Sequence, residues 1–99
     1  MKIQPLGLIT FAEGQGSATT LEDAQQVLVQ NTQSSVRYIH IQPNGSSGYD
    51  SSVDFVFAIQ GNKSVLVRKD YDEEIYATED LDGDTGANDV LFTKTGFYA

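Results

Sequence analysis

The stretch spanning residues 53–78, VDFVFAIQGNKSVLVRKDYDEEIYAT, constrains the fold of this chain more than any other. Its first part alternates with a period of two, which is typical of a strand with one buried face. Gly61-Asn62 follows, a pair suited to the positive φ of a tight hairpin turn, and Val65 and Val67 continue the apolar face. The pattern predicts two core strands joined by this turn, then a charged corner and a third strand. The predicted apolar face begins with Val53, Phe55, Phe57 and Ile59.

Other β-prone segments are separated by turn residues. Residues 26–31 and 90–95 are predicted strands, and residues 19–25 form a loop or one helical turn. Residues 36–42 carry apolar bulk on both faces, which predicts a central strand. The polar stretches 43–52 and 79–89 are predicted surface loops. About seven short strands with regular turn signals predict an all-β fold, either an antiparallel β-sandwich or a jelly roll. The same alternation would also fit a small barrel, so the pattern does not separate a sandwich from a barrel.

The two ends of the chain are candidates for intermolecular contact. Residues 3–11 are apolar, but Pro5 cannot donate to a ladder, which favours an edge strand or an arm that adds to a neighbouring subunit's sheet. Glycines then interrupt the pattern, so residues 1–25 are predicted as edge strand or arm plus linker and residues 26–99 as the β-sandwich domain. Aromatic chain ends are seldom left in water. The predicted contact residues are Ile3, Leu6, Leu8, Ile9, Phe11, Phe97 and Tyr98.

Composition narrows the classes of partner. The chain has 99 residues, enough for one domain, and no cysteine, so disulfides and thiolate metal sites are absent. Its formal net charge is −8, from 14 acidic and 6 basic residues, which argues against nucleic acid as a partner. No segment approaches the ~20 apolar residues of a membrane helix, so no membrane partner is expected.

An acidic run, DLDGD, is the sharpest local signal for a ligand. Alternate aspartates around a glycine can converge oxygens on calcium. Thr85 and Leu91 occupy places where an EF-hand needs glycine and glutamate, so this is not an EF-hand. A looser calcium loop completed by Glu79, Asp89 or a backbone carbonyl is one interpretation, and a solvated acidic turn without any cofactor is the favoured one. The candidate metal ligands are Asp80, Asp82 and Asp84.

No catalytic constellation is apparent in the sequence. His40 is the only histidine, and no nucleophile motif accompanies it, so we expect a partly buried, hydrogen-bonded side chain rather than a relay. Residues 70–89 hold nine of the 14 acids and no lysine or arginine. They predict a solvated face or a surface that docks on a basic partner, and no enzyme is predicted.

The order of the segments resembles the small β-sandwich virion proteins of tailed bacteriophages, particularly those of marine cyanophages. VLVQNTQSS, VRYIHIQ, the 55–78 stretch and VLFTKTGF follow one another as in that family. Val65-Leu66-Val67-Arg68-Lys69 and Glu74-Ile75-Tyr76-Ala77 stand at the family's V-x-V-x-K and acid-x-I-x-A places. The resemblance covers residues 26–98, but residues 1–25 and the 43–52 loop are not matched.

The resemblance implies a non-enzymatic virion structural protein. Its expected role is capsid decoration, or cement, on the outer surface of the shell formed by the major capsid protein. A homo-oligomer is expected, with a trimer favoured, and the implied location is the capsid surface of the virion. A tail, neck or fibre-associated protein is the first alternative. A carbohydrate or host-surface binding module with a calcium loop is the second.

Overall fold

The computed structural model describes residues 2–48, 50 and 52–98. The side chains of these residues are described between positions 10 and 96. The described residues form two antiparallel sheets and no α-helix, which confirms the all-β prediction of a seven-stranded sandwich. No helix among them is long and apolar enough to cross a membrane. The strands are β1 Lys2–Phe11, β2 Gln26–Asn31, β3 Arg37–Gln42, β4 Phe55–Ile59, β5 Ser64–Arg68, β6 Glu74–Thr78 and β7 Val90–Tyr98, with a 3₁₀ turn at Gln15–Ser17.

The core lies between the inner faces of the two sheets. One sheet has the strand order β1-β7-β2-β5 and the other β4-β3-β6. Alternate residues of the central strands face inward, because side chains of a strand point to opposite faces in turn. Val29 lies opposite Phe92 in one sheet and Ile39 lies opposite Ala77 in the other, and all four are fully buried. β3 is central in its sheet, as its two apolar faces predicted.

The predicted hairpin of residues 53–78 is wrong. β4 pairs with β3 and β5 pairs with β2, so the turn between them crosses from one sheet to the other. In this arrangement Phe57 of β4 lies opposite the buried Ile39, and Val67 of β5 lies opposite the buried Val27. Both also become edge strands, and Phe55, predicted to be in the core, is 62% exposed.

β1 is an edge strand of the protein's own sheet, the first of the two alternatives considered for residues 3–11. It runs antiparallel to β7, with a register shift between Pro5 and Ile9. The chain then crosses to the other sheet, where Glu13 bridges to Ala77, so the 12–19 segment covers the outer edge of β6. The division into residues 1–25 and 26–99 stays a prediction, although β1 from the first part pairs with β7 from the second.

The segment before β2 forms a single left-handed turn. Leu21, Glu22 and Asp23 have φ values of 56°, 54° and 60°, and the Ala24 amide donates to the Thr20 carbonyl over 3.1 Å. Left-handed backbone costs roughly 1–2 kcal/mol for each residue that has a Cβ. Full burial of the Leu21 side chain offsets part of this cost. The sequence predicted a loop or one turn here, but not its hand.

Candidate functional site

The acidic loop between β6 and β7 brings the three predicted metal ligands together. One carboxylate oxygen each from Asp80, Asp82 and Asp84 lies within 4.8 Å of the other two. Hydrogen bonds inside the loop hold this arrangement. The Thr85 amide donates to Asp80 over 3.2 Å, and the Asp84 amide donates to Asp82 over 3.3 Å.

The three carboxylates repel one another. Asp82 has the largest effect on the pKa of Asp84 and raises it, with a smaller contribution from Asp80. A calcium ion would relieve this repulsion, but it takes six to eight oxygens, so the loop would have to add carbonyls or waters. Calcium binding at Asp80, Asp82 and Asp84 therefore stays a prediction beside the solvated acidic turn. Thermal unfolding with calcium and with a chelator, repeated on Asp82→Asn, separates the two interpretations.

Asp89, a suggested further ligand, does not join this cluster. Its two carboxylate oxygens accept from Nε and Nη2 of Arg37, over 3.0 and 2.9 Å. The Arg37 guanidinium holds the pKa of Asp89 below its usual range, mainly through this hydrogen bond. The two residues are 52 positions apart, and the sequence alone did not reveal the pair. The available signal was an arginine at an inward-facing position of a buried strand.

A stacked aromatic pair lies under the acidic loop. The rings of His40 and Tyr76 are nearly parallel, with centroids 4.5 Å apart, and both side chains are fully buried. Gly83, at φ +82°, turns the loop back over them, and a Cβ built on it would lie 3.5 Å from Cε1 of His40. Because the loop closes over this stack, the ring of His40 is not open to a substrate.

His40 has a structural environment. Its Nε2 lies 2.8 Å from the Thr78 hydroxyl, which donates to the Asp80 carbonyl over 2.6 Å. Burial lowers the pKa of His40, and the charges of Asp54 and Asp80 only partly oppose this. Desolvation disfavours the charged imidazolium, so neutral pH leaves the ring uncharged. The expected hydrogen-bonded histidine is found, more deeply buried than the sequence suggested.

The second acidic run, residues 70–74, forms a corner rather than a paired-carboxylate site. The Glu73 carboxylate accepts from the backbone amide of Asp70 over 2.7 Å. The Glu74 carboxylate accepts from the side-chain amide of Gln42 over 2.9 Å. The Lys69 ammonium donates to the Glu73 carbonyl over 2.7 Å, and burial lowers the pKa of this lysine. The carboxylates of Glu73 and Glu74 thus bind neighbouring residues of the fold instead of converging on one point.

The predicted contact residues come from adjacent strands. Ile3 lies opposite Phe97 in the β1–β7 register, so the two chain ends lie side by side. The side chain of Phe11 is 50% exposed. The side chains of Ile3, Leu6, Leu8, Ile9, Phe97 and Tyr98 lie outside the described part of the structure, so their contacts stay predictions.

A shallow polar depression lies at the end of the β2, β5 and β7 strands. It has a volume of about 390 Å³ and is lined by Asp23, Gln26, Arg68, Lys94 and Thr95 among others. The amide of the buried Gln26 donates to the Thr95 hydroxyl over 2.9 Å. Charges of both signs line the depression, so its electrostatics do not select one class of ligand.

Comparisons with family models, with curated proteins and with solved structures found no significant match to this chain.

Proposed function

We propose that this chain is a non-enzymatic virion structural protein, and specifically a capsid decoration protein. Its partner is the shell of the major capsid protein, which it binds from outside. The homo-oligomer that we propose, with a trimer favoured, assembles on that shell. The proposal starts from the resemblance to small virion proteins of tailed phages and rests on the surface described below.

One observation carries the proposal. The two chain ends predicted to make contacts, β1 and the end of β7, are neighbours in one sheet, so they form a single surface. No described strand pairs with the outer edge of β1, and the exposed Phe11 lies at its end. An extended segment of the shell can add, through main-chain hydrogen bonds, to the stretches of this edge that flank the register shift between Pro5 and Ile9. Many copies that each bury a modest area would together reinforce the shell.

The charge distribution supports the same role. The chain has a formal charge of −8, and the acidic loop presents Asp82 and Asp84 to solvent. An acidic outer surface keeps a protein that is displayed in many copies soluble, or docks on a basic patch of the shell.

The test is localisation in purified virions of the phage that carries this sequence. We expect antibody label over the whole outer surface of the head, and matching density in a cryo-electron microscopy map. Label confined to the tail, the neck or one vertex would replace decoration by the tail or fibre alternative. Absence from virions would overturn the structural role altogether, and a glycan array would then test the carbohydrate-binding alternative.

A variant pair tests the proposed surface. Phe11→Lys places a charge at the end of β1 and should weaken co-sedimentation with shells that lack the protein by tenfold or more. Val65→Lys is the matched control, because Val65 is a partly exposed apolar residue on β5, at the opposite edge of the same sheet. Equal binding of both variants would contradict docking through the β1–β7 surface.

A further inference from the structure

The edge strands of this sandwich differ in how they are protected. Exposed edges pair readily with other chains, and proteins commonly block them with charges, proline or bulges. β1 has Pro5 and a register shift, and β5 ends in Arg68. The outer edge of β6 is covered by the 12–19 segment.

β4 has none of these devices. Its sequence, FVFAI, contains no charge and no proline, and it pairs with β3 in an unbroken register over all five residues. No described strand pairs with its outer edge. On such a strand, the N–H and C=O groups of every second residue point away from the sheet. Phe55 is 62% exposed, and its ring lies against that of Phe57, with ring centroids 5.9 Å apart.

The strand is complementary to itself when run antiparallel. With Phe57 on the two-fold axis, Phe55 faces Ile59 of the second copy and Val56 faces Ala58 of the second copy, so every cross-strand pair is apolar. In the same register Asp54, just before the strand, lies beside Gln60 of the second copy, so no like charges face each other across the pairing.

We propose that β4 binds β4 of a second copy of this chain, which joins two three-stranded sheets into one six-stranded sheet. The pairing supplies main-chain hydrogen bonds to the open edge and covers the exposed ring of Phe55. This contact is separate from the β1–β7 surface and does not depend on the proposed role in a virion. Either proposal can therefore fail alone.

The experiment is sedimentation velocity on the purified full chain over a wide concentration range. The wild-type protein should reach twice the monomer mass of 10.8 kDa, and Phe55→Lys should weaken this dimer at least tenfold. Leu81→Lys is the matched control, because Leu81 is 58% exposed and lies in the acidic loop; its dimer should match the wild type. Circular dichroism checks the fold, and Ala58→Lys, at another exposed position of β4, serves if Phe55→Lys unfolds.

Hydrogen exchange identifies the contact directly. Amides of β4 that point outward should become protected as concentration rises, while the amides of β5 should not change. A monomer at all concentrations, or an oligomer unaffected by both lysine variants, would overturn the proposal. A trimer in solution would also overturn it, since a two-fold strand pairing closes at two copies, but would leave the trimer proposed for the capsid shell standing.

Discussion

Removing one partner of the ion pair between Arg37 and Asp89 should cost a sizeable part of the stability of this domain. The side chains of the pair are only 11% and 19% exposed, and two hydrogen bonds join them. Breaking a buried pair leaves one uncompensated charge and costs about 3–5 kcal/mol, against about 0–1 kcal/mol for an exposed pair. The partial exposure of this pair places Asp89→Asn at about 2–3 kcal/mol.

That loss is measurable. Domains of this size have free energies of unfolding of about 5–15 kcal/mol, so urea denaturation followed by circular dichroism should show a clear drop for Asp89→Asn. The melting temperature should fall by about 10–20 °C. A double-mutant cycle with Arg37→Gln should give a coupling energy of about 2 kcal/mol, since the variants share one interaction.

The pH dependence gives a second, independent readout. Arg37 lowers the pKa of Asp89 in the folded protein, so the contribution is present above the unfolded pKa of about 3.9. It is lost as pH falls through the folded pKa, and wild type and Asp89→Asn should converge there. Asp84→Asn is the control: Asp84 is exposed and repelled by Asp82, so its loss should not destabilise. A cost below 0.5 kcal/mol for Asp89→Asn, or no convergence in acid, would refute this reasoning.

Three further predictions concern other parts of the fold. Because burial lowers its pKa, His40 favours folding above its unfolded pKa of about 6.5, and this contribution is lost as pH falls below it. When the pH is lowered from about 7 to 5, the free energy of unfolding measured in urea should fall less for His40→Phe than for the wild type. Parallel pH profiles of the two proteins would contradict this. Gly61→Ala forces a Cβ onto the Ser34 carbonyl and should cost about 1–3 kcal/mol, whereas Gly48→Ala, in open space, should be nearly neutral in the same assay. Asp82→Asn should lower the pKa of Asp84, as followed by carbon-13 NMR of the carboxyl groups; an unchanged titration would show that the two carboxylates do not interact.

The alternation of apolar residues was sufficient to predict the fold class and several strands of this chain. Residues 26–31 form β2 as predicted, and residues 36–42 contain β3. These assignments hold because the period of two is a local property that burial of one strand face imposes on the sequence. The acidic loop was likewise predictable, since neighbouring aspartates in a short loop stay close together in any conformation.

Strand partners, by contrast, were decided only in the tertiary structure. The pattern of residues 53–78 is compatible with a hairpin, but β4 pairs with β3 and β5 pairs with β2, strands that lie earlier in the chain. The exposure of Phe55 follows from the edge position that this pairing gives β4, and the Arg37–Asp89 pair likewise joins residues 52 positions apart. Local periodicity indicates which face of a strand is buried. It does not indicate which strand pairs with it, because pairing depends on contacts between residues distant in the sequence.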